Sequence, residues 1–204
     1  MGRTGLQRLI PIILVLVVVG LAIAALVSVT RTLFSGSSPS PTPKLQVNVG
    51  KQALKNTASD RSVRMSVRGP LVASENYHTY TITVSPGSRT MTSYQGYAGK
   101  QIDNEQLANT QSGYEQFVYA LDLAKFMNGT PLTGTANDER GICATGTVYD
   151  FEVLQGTNSI QKLWTSTCSG SPGSLKANIA QITNLFDAQI PDFGARLDKI
   201  NANV

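Results

Sequence analysis

The 204-residue chain carries 17 Lys and Arg, 13 Asp and Glu and one His, for a net charge of +4. That length holds one ordinary domain plus appendages, and about 150 residues remain once an apolar N-terminal stretch and its linker are removed, enough for one buried core. The basic residues are scattered rather than interleaved with aromatics, so no nucleic acid is expected as a partner, and a lone histidine excludes multi-histidine zinc sites and two-His metal triads.

Leu9 to Val29 is apolar and uncharged, about 21 residues against the roughly 20 that cross a hydrocarbon core as a helix. Pro11 falls in the first turn, where a missing N–H costs little. A cleaved signal peptide competes, with Ala22-Ile23-Ala24 as a small-x-small cleavage pattern. The apolar run continues through Ala25, Leu26 and Val27, which favours a retained anchor in the lipid bilayer. No Cys lies near it to accept a lipid. Arg3 and Arg8 are nearly balanced by Arg31 and Lys44 across the span. Two other features set the orientation. Both cysteines lie in the soluble part, and a structural disulfide needs an oxidising compartment. The uncharged Pro- and Ser-rich run Ser35 to Pro43 suits a spacer that holds a domain off a membrane. The expected organisation is a cytoplasmic tail (1–8), a transmembrane anchor (9–30), a Ser/Pro-rich linker (31–44), an extracytoplasmic domain (45–191) and a C-terminal tail (192–204).

Leu45 to Ser59 is ambiguous, with a short helix expected around Lys51 to Thr57. Val63, Met65 and Val67 alternate with Arg64, Ser66 and Arg68, the period of a half-buried strand. A second strand is expected from Tyr77 to Val84. Ser85-Pro86-Gly87-Ser88 makes a turn in which Gly87 takes a positive φ. The chain returns through Arg89 to Tyr94, with Met91 opposite Ile82. Ser112 and Glu115 form a capping box, Phe117, Val118, Leu121 and Ala124 share a stripe, and Asn128-Gly129 ends that helix. Two strands, Ile142 to Leu154 and Ser159 to Cys168, flank a tight turn at Gln155-Gly156. A last helix spans Ser174 to Ile190 and Pro191 stops it; the tail behind it is read as mobile or a short turn. The fold class is therefore α+β: a two-layer domain with an antiparallel sheet of about five strands, order β-β-β-α-β-β-α, and two helices on one face.

A disulfide between Cys143 and Cys168 follows from this register. With Gln155 and Gly156 central in the turn, Leu154 faces Thr157, Phe151 faces Ile160, Thr147 faces Trp164 and Cys143 faces Cys168. Phe151, Ile160, Trp164 and both cysteines then share a core face, and Lys162, opposite Tyr149, runs its charged end past the sheet edge. The bond closes a loop of about 25 residues and stabilises the fold by roughly 3 kcal/mol.

Catalytic signatures are sparse. His78 is most simply structural or exposed, and no Gly-x-Ser-x-Gly elbow accompanies it. Asp138 and Glu139 offer calcium ligands or an acid–base pair, but adjacent residues project differently and no third acidic residue is near, so a plain loop leading into a strand is favoured. Gly170, Ser171, Gly173 and Ser174 join a strand to a helix, where backbone N–H groups can cradle an anion; the glycine spacing does not match a P-loop. Asn128-Gly129-Thr130 matches a common glycosylation triplet. No cofactor, catalytic set or metal site is implied.

The stretches Arg61-Ser62-Val63-Arg64-Met65-Ser66-Val67-Arg68-Gly69-Pro70, Arg140-Gly141-Ile142-Cys143-Ala144-Thr145-Gly146 and Leu163-Trp164-Thr165-Ser166-Thr167-Cys168 resemble those of small anchored proteins of reduced-genome candidate-phylum bacteria of the Saccharibacteria type. The resemblance covers most of the soluble part and rests on phrase-level similarity. It implies an envelope location and no activity. The expected function is a single-pass, membrane-anchored extracytoplasmic module, its partner an envelope protein or polymer. The rivals are a minor pilin or pseudopilin, which lacks here the Glu expected near the start of its apolar segment, and an envelope hydrolase with an unrecognised site.

Overall fold

The computed structural model describes residues 48–202. The expected anchor, cytoplasmic tail and Ser/Pro linker lie outside the described residues. Among the described residues no helix is long and apolar enough to cross a membrane.

The described residues form helix α1 (Val49–Leu54), strands β1 (Arg61–Arg68), β2 (His78–Val84), β3 (Ser88–Gln95) and β4 (Lys100–Ala108), helix α2 (Gln111–Leu123), strands β5 (Val148–Gln155) and β6 (Asn158–Ser166), and helices α3 (Ile179–Asp187) and α4 (Phe193–Ala202). The fold is α+β, with one open antiparallel sheet of six strands in the order β4-β3-β2-β1-β5-β6. Strands β1 to β4 are a meander, and the β5–β6 hairpin adds to the free side of β1.

Alternation decides the two faces of the sheet. Val63, Met65 and Val67 of β1, Ile82 and Val84 of β2, Met91 of β3 and Phe151 and Val153 of β5 are buried in one apolar cluster with residues of all four helices. Edge-to-face rings knit it together, Phe117 against Phe186 at 5.2 Å and Phe126 against Phe151 at 5.6 Å. The opposite face carries Arg64, Ser66 and Arg68 of β1 and Thr79, Thr81 and Thr83 of β2. At its β5–β6 end, a second small cluster of Cys143, Val148 and Trp164 seats the long loop between α2 and β5.

Several expectations are corrected. The sheet has six strands because β4, a polar edge strand, has no apolar alternation to reveal it. Its inward Asp103 and Glu105 pair with Arg196 of α4 at 3.7 and 2.8 Å, and that helix replaces the expected mobile tail. The helix expected from Ser174 to Ile190 is α3, which starts at Ile179, capped by Asn178. Helix α2 is capped by Thr110, whose Oγ1 accepts from Gly113 N–H at 3.1 Å; Glu115 instead accepts from Gln111. Its C-terminus is not at Asn128-Gly129. Lys125 takes a left-handed φ of 61°, its N–H bonds Asp122 O, and Phe126 N–H bonds Leu121 O. This is a Schellman motif without its usual glycine, held because Phe126 is buried in the core. Ser85–Ser88 closes through Ser85 N–H to Ser88 O at 2.8 Å, without a positive φ at Gly87. Met91 does pair with Ile82.

The hairpin register also differs. Gly156 and Thr157 form its tip, Gln155 facing Asn158, and a bulge follows between Val153 and Leu154. Phe151 therefore faces Leu163, Asp150 faces Trp164 and Glu152 faces Lys162. Trp164 lies on the opposite face from Phe151 and Ile160, and β5 begins at Val148 rather than Ile142. Cys143 and Cys168 nonetheless meet, with Cα atoms 5.5 Å apart. They are not ladder partners. The ladder continues only to Thr147, whose carbonyl accepts from Thr167 N–H. A tight turn, Gly146 N–H to Cys143 O at 3.1 Å, then doubles the chain back. A side chain at Gly146 would collide with the Cys143 sulfur and the Thr167 hydroxyl.

Candidate binding cleft

The chain builds a cleft of about 520 Å³ on the sheet face that the helices leave open, lined among others by Arg68, Tyr77, Tyr97, Glu139, Arg140 and Lys162. Three separate segments make it.

The first is an aromatic wall. Tyr77 precedes β2 and is buried, while Tyr97, in the β3–β4 turn, is 56 % exposed. Their rings stack at 4.2 Å with 17° between planes. The turn is fixed from several sides. Gly96 takes a φ of +73° and packs on Ser74, and its N–H bonds Tyr77 O at 2.8 Å. The Tyr97 hydroxyl donates to Val72 O at 2.8 Å, and Gln95 Nε2 donates to Glu75 O at 2.7 Å. One face and the hydroxyl of Tyr97 are thus engaged, yet more than half of the residue stays exposed. Burial raises the Tyr77 phenol above its ordinary pKa, against the opposing charge of Arg68 and with a small addition from Tyr97. Arg68 lines the same cleft as this wall.

The second segment is the roof, residues 137–141. Asn137 Oδ1 accepts from Trp164 Nε1 at 3.2 Å. Arg68 donates to the carbonyls of Glu139 at 2.9 Å and Ile142 at 3.4 Å, and Leu71 N–H bonds Ala144 O at 2.8 Å. The disulfide secures the far end. Asp138 and Glu139 point to different partners, as adjacent residues must. Asp138 takes Arg140, whose hydrogen bonds lower its carboxyl to about 2, and Glu139 takes Lys162 at 2.8 Å.

The floor is the sheet itself. Lys162 reaches both Glu139 and Asp150 at 2.8 Å, and Arg64 pairs with Glu152 of the neighbouring strand. One ammonium between two carboxylates leaves a surplus negative charge. Burial of Asp150 outweighs the pull of Lys162, and Glu139 adds like-charge repulsion, so the Asp150 carboxyl is raised. The two carboxylates in turn hold Lys162 above its usual value, against its burial. Lys162 thus stays on the open face of the sheet instead of running past its edge. Arg68 differs from the other cations of the cleft: among the described residues it has hydrogen bonds to carbonyls and no carboxylate partner.

Of the residues singled out from sequence, Asp138, Glu139 and the cysteines belong to this cleft or its roof. Gly170, Ser171, Gly173 and Ser174 do not. Ser174 N–H and Leu175 N–H both bond Trp164 O, Ser174 Oγ accepts from Trp164 N–H at 2.9 Å, and Ser171 N–H bonds Cys168 O. The loop extends the β6 edge, and the helix start that made it an anion-site candidate is not directly behind it. His78 lines a separate, smaller cleft with Tyr80, Tyr149 and Leu197. Asn128 of the glycosylation triplet donates its side-chain amide to Lys176 O at 2.9 Å. Sequence reading passed over Tyr77, Tyr97, Arg68 and Lys162. The available signal was Gly96-Tyr97-Ala98-Gly99, an aromatic bracketed by two turn glycines, which puts a large ring at an exposed tip.

Neither a protein-family model nor a curated protein matches this sequence.

Proposed function

We propose that the protein is a membrane-anchored module of the bacterial cell envelope whose extracytoplasmic domain binds an envelope partner or surface polymer in the cleft beneath the 137–141 roof. The observation that carries this reading is the exposed ring of Tyr97, fixed in place by Tyr77, Val72 and Gly96 beside polar groups of both signs. An exposed aromatic held rigid costs little further entropy on binding, and such rings anchor many recognition sites. The apolar, uncharged Leu9 to Val29 stretch, the linker after it and the cysteine pair support a tethered domain in an oxidising compartment. The phrase-level resemblance to Saccharibacteria-type anchored proteins accords with that setting.

The test is site-specific photo-cross-linking of the full chain in intact cells, with benzoylphenylalanine replacing either Tyr97 or Tyr119, an exposed residue of α2. Position 97 should yield a discrete adduct and position 119 should not. Equal capture at both positions, or protection of the domain from external protease until cells are lysed, overturns the reading.

A further inference from the structure

We infer that the cleft recognises a carboxylate-bearing glycan, one sugar ring lying on the outer face of Tyr97 and its carboxylate meeting Arg68. The inference rests on the cleft being the binding site proposed above and names its ligand class.

Three observations lead to it. The first is the shape and chemistry of Tyr97. The ring is flat and 56 % exposed although its hydroxyl and one face are taken. The face of an aromatic ring carries negative charge density, which suits the weakly positive C–H bonds on the flat side of a pyranose. The second is the wall opposite. Asn137, Asp138, Glu139 and Arg140 are four consecutive planar polar side chains lining one side of the cleft, supplying donors and acceptors together. Vicinal hydroxyls, each both donor and acceptor, match such a mixed array. The third is Arg68. Asp138 pairs with Arg140, and Glu139 and Asp150 both pair with Lys162. Arg68 is bonded through Nη1 and Nη2 to two carbonyl oxygens, and among the described residues no carboxylate pairs with it. A guanidinium has five N–H donors; the two carbonyls take both on Nη2 and one on Nη1, which leaves Nε–H and the second Nη1 hydrogen, each able to donate a single charge-assisted bond to a carboxylate.

Other ligand classes fit less well. A peptide bound by strand addition needs a free sheet edge, whereas this cleft lies over the sheet face. A nucleotide needs several cations or a nest of backbone N–H groups for its phosphates. Here one cation lacks a carboxylate contact, and the glycine-rich 169–174 segment puts backbone donors into the β6 edge and its own turn.

Isothermal titration calorimetry on the detergent-solubilised full chain tests the assignment, with trigalacturonate, trimannuronate and the methyl ester of each as probes. At least one acid should bind about tenfold or more tightly than its ester, the scale of one charge-assisted hydrogen-bonded contact. Arg68→Gln should collapse that preference while Arg68→Lys retains part of it. Tyr97→Ala should weaken acid and ester alike about fivefold or more, with a cooperative melting transition showing that the domain still folds. Acid and ester binding equally, binding that survives Tyr97→Ala, or failure of both acids to bind would overturn the glycan assignment. A short peptide with a C-terminal Phe serves as the competing ligand. Its binding at the cleft in place of the glycans would sink this inference yet leave the binding-module reading intact, whereas loss of the adduct specific to position 97 would remove that reading first.

Discussion

Replacing both cysteines, Cys143→Ala with Cys168→Ala, tests the role of the bond that holds the roof of the cleft. The cysteines are separated by 25 residues, and a loop of that size corresponds to about 3.5 kcal/mol in the chain-entropy model. Part of this is offset within the folded state. Cys143 sits at a φ of +52°, a left-handed conformation that costs a non-glycine residue about 1 kcal/mol, and cutting the link lets that turn relax. Alanine also leaves no unpaired hydroxyl in the pocket formed with Trp164 and Val148. The net loss is about 2.5 kcal/mol, which for a domain of this size lowers Tm by roughly 5–10 °C. Circular-dichroism melts of the parent and the double variant measure it, and hydrogen exchange locates it. Amides of residues 134–146 should lose protection, while those of β1 and β2 keep theirs. A Tm shift below about 2 °C would refute the magnitude. Protection lost evenly across the sheet would refute the claim that the bond acts on the roof.

The same pair shows how a sequence argument can reach the right contact by the wrong path. A turn at Gln155-Gly156 puts Cys143 opposite Cys168, but the hairpin turns one residue later and carries a bulge, so the observed ladder cannot pair them. The Gly146 turn restores the meeting, and no hydrophobic period encodes that turn. Strands β1 to β3 were legible because a core presses on one face only, so Val63, Met65 and Val67 must alternate with polar residues. Helix α4 itself carries a short apolar stripe at helical spacing, Phe193, Leu197 and Ile200, that packs on the core. Strand β4 was illegible because it presents charge where apolar residues would announce a strand, and its charges are answered from helix α4, Arg196 to Asp103 and Glu105. Such compensation is long-range and leaves no local pattern. The cleft has the same character. Tyr77 and Tyr97 are twenty positions apart in a meander, and Arg68, Glu139 and Lys162 come from three segments. The two faces of the sheet could be read from periodicity, whereas what gathers on the open face depends on where the 128–147 loop lands.

Three substitutions away from the cleft probe other steps of the argument. Lys125→Gly should stabilise the domain by about 1 kcal/mol, read as a higher urea midpoint, because it relieves the left-handed residue of the α2 cap; a lower midpoint would show that the Lys125 side chain outweighs its backbone strain. Gly129→Ala should destabilise by about 2 kcal/mol, since a Cβ there would overlap the Ser174 carbonyl across the Gly129–Leu175 bridge; an unchanged midpoint would mean that the bridge gives way freely. Asp187→Asn carries a pH signature. Burial lifts the Asp187 carboxyl to about 6, and its Oδ1 has no hydrogen-bond partner. The unfolded chain has an ordinary carboxyl near 3.9, so between about pH 4 and pH 6 the folded state holds more protons than the unfolded. Stability from this group is therefore complete below about pH 4, falls as pH rises through the window and is gone above about pH 6. Full burial would make the effect about 3 kcal/mol, and the water that reaches this half-buried side chain reduces it to about 1–2 kcal/mol. Asparagine keeps the shape and cannot ionise, so the variant should gain on the parent by that amount as pH rises from 4 to 7. Asp150 sits on the opposite face of the sheet, so its own titration cancels when variant and parent are compared. Urea unfolding at pH 4, 5, 6 and 7 gives the difference directly, and a difference that stays constant over that range would refute a desolvated, protonated Asp187 in the fold.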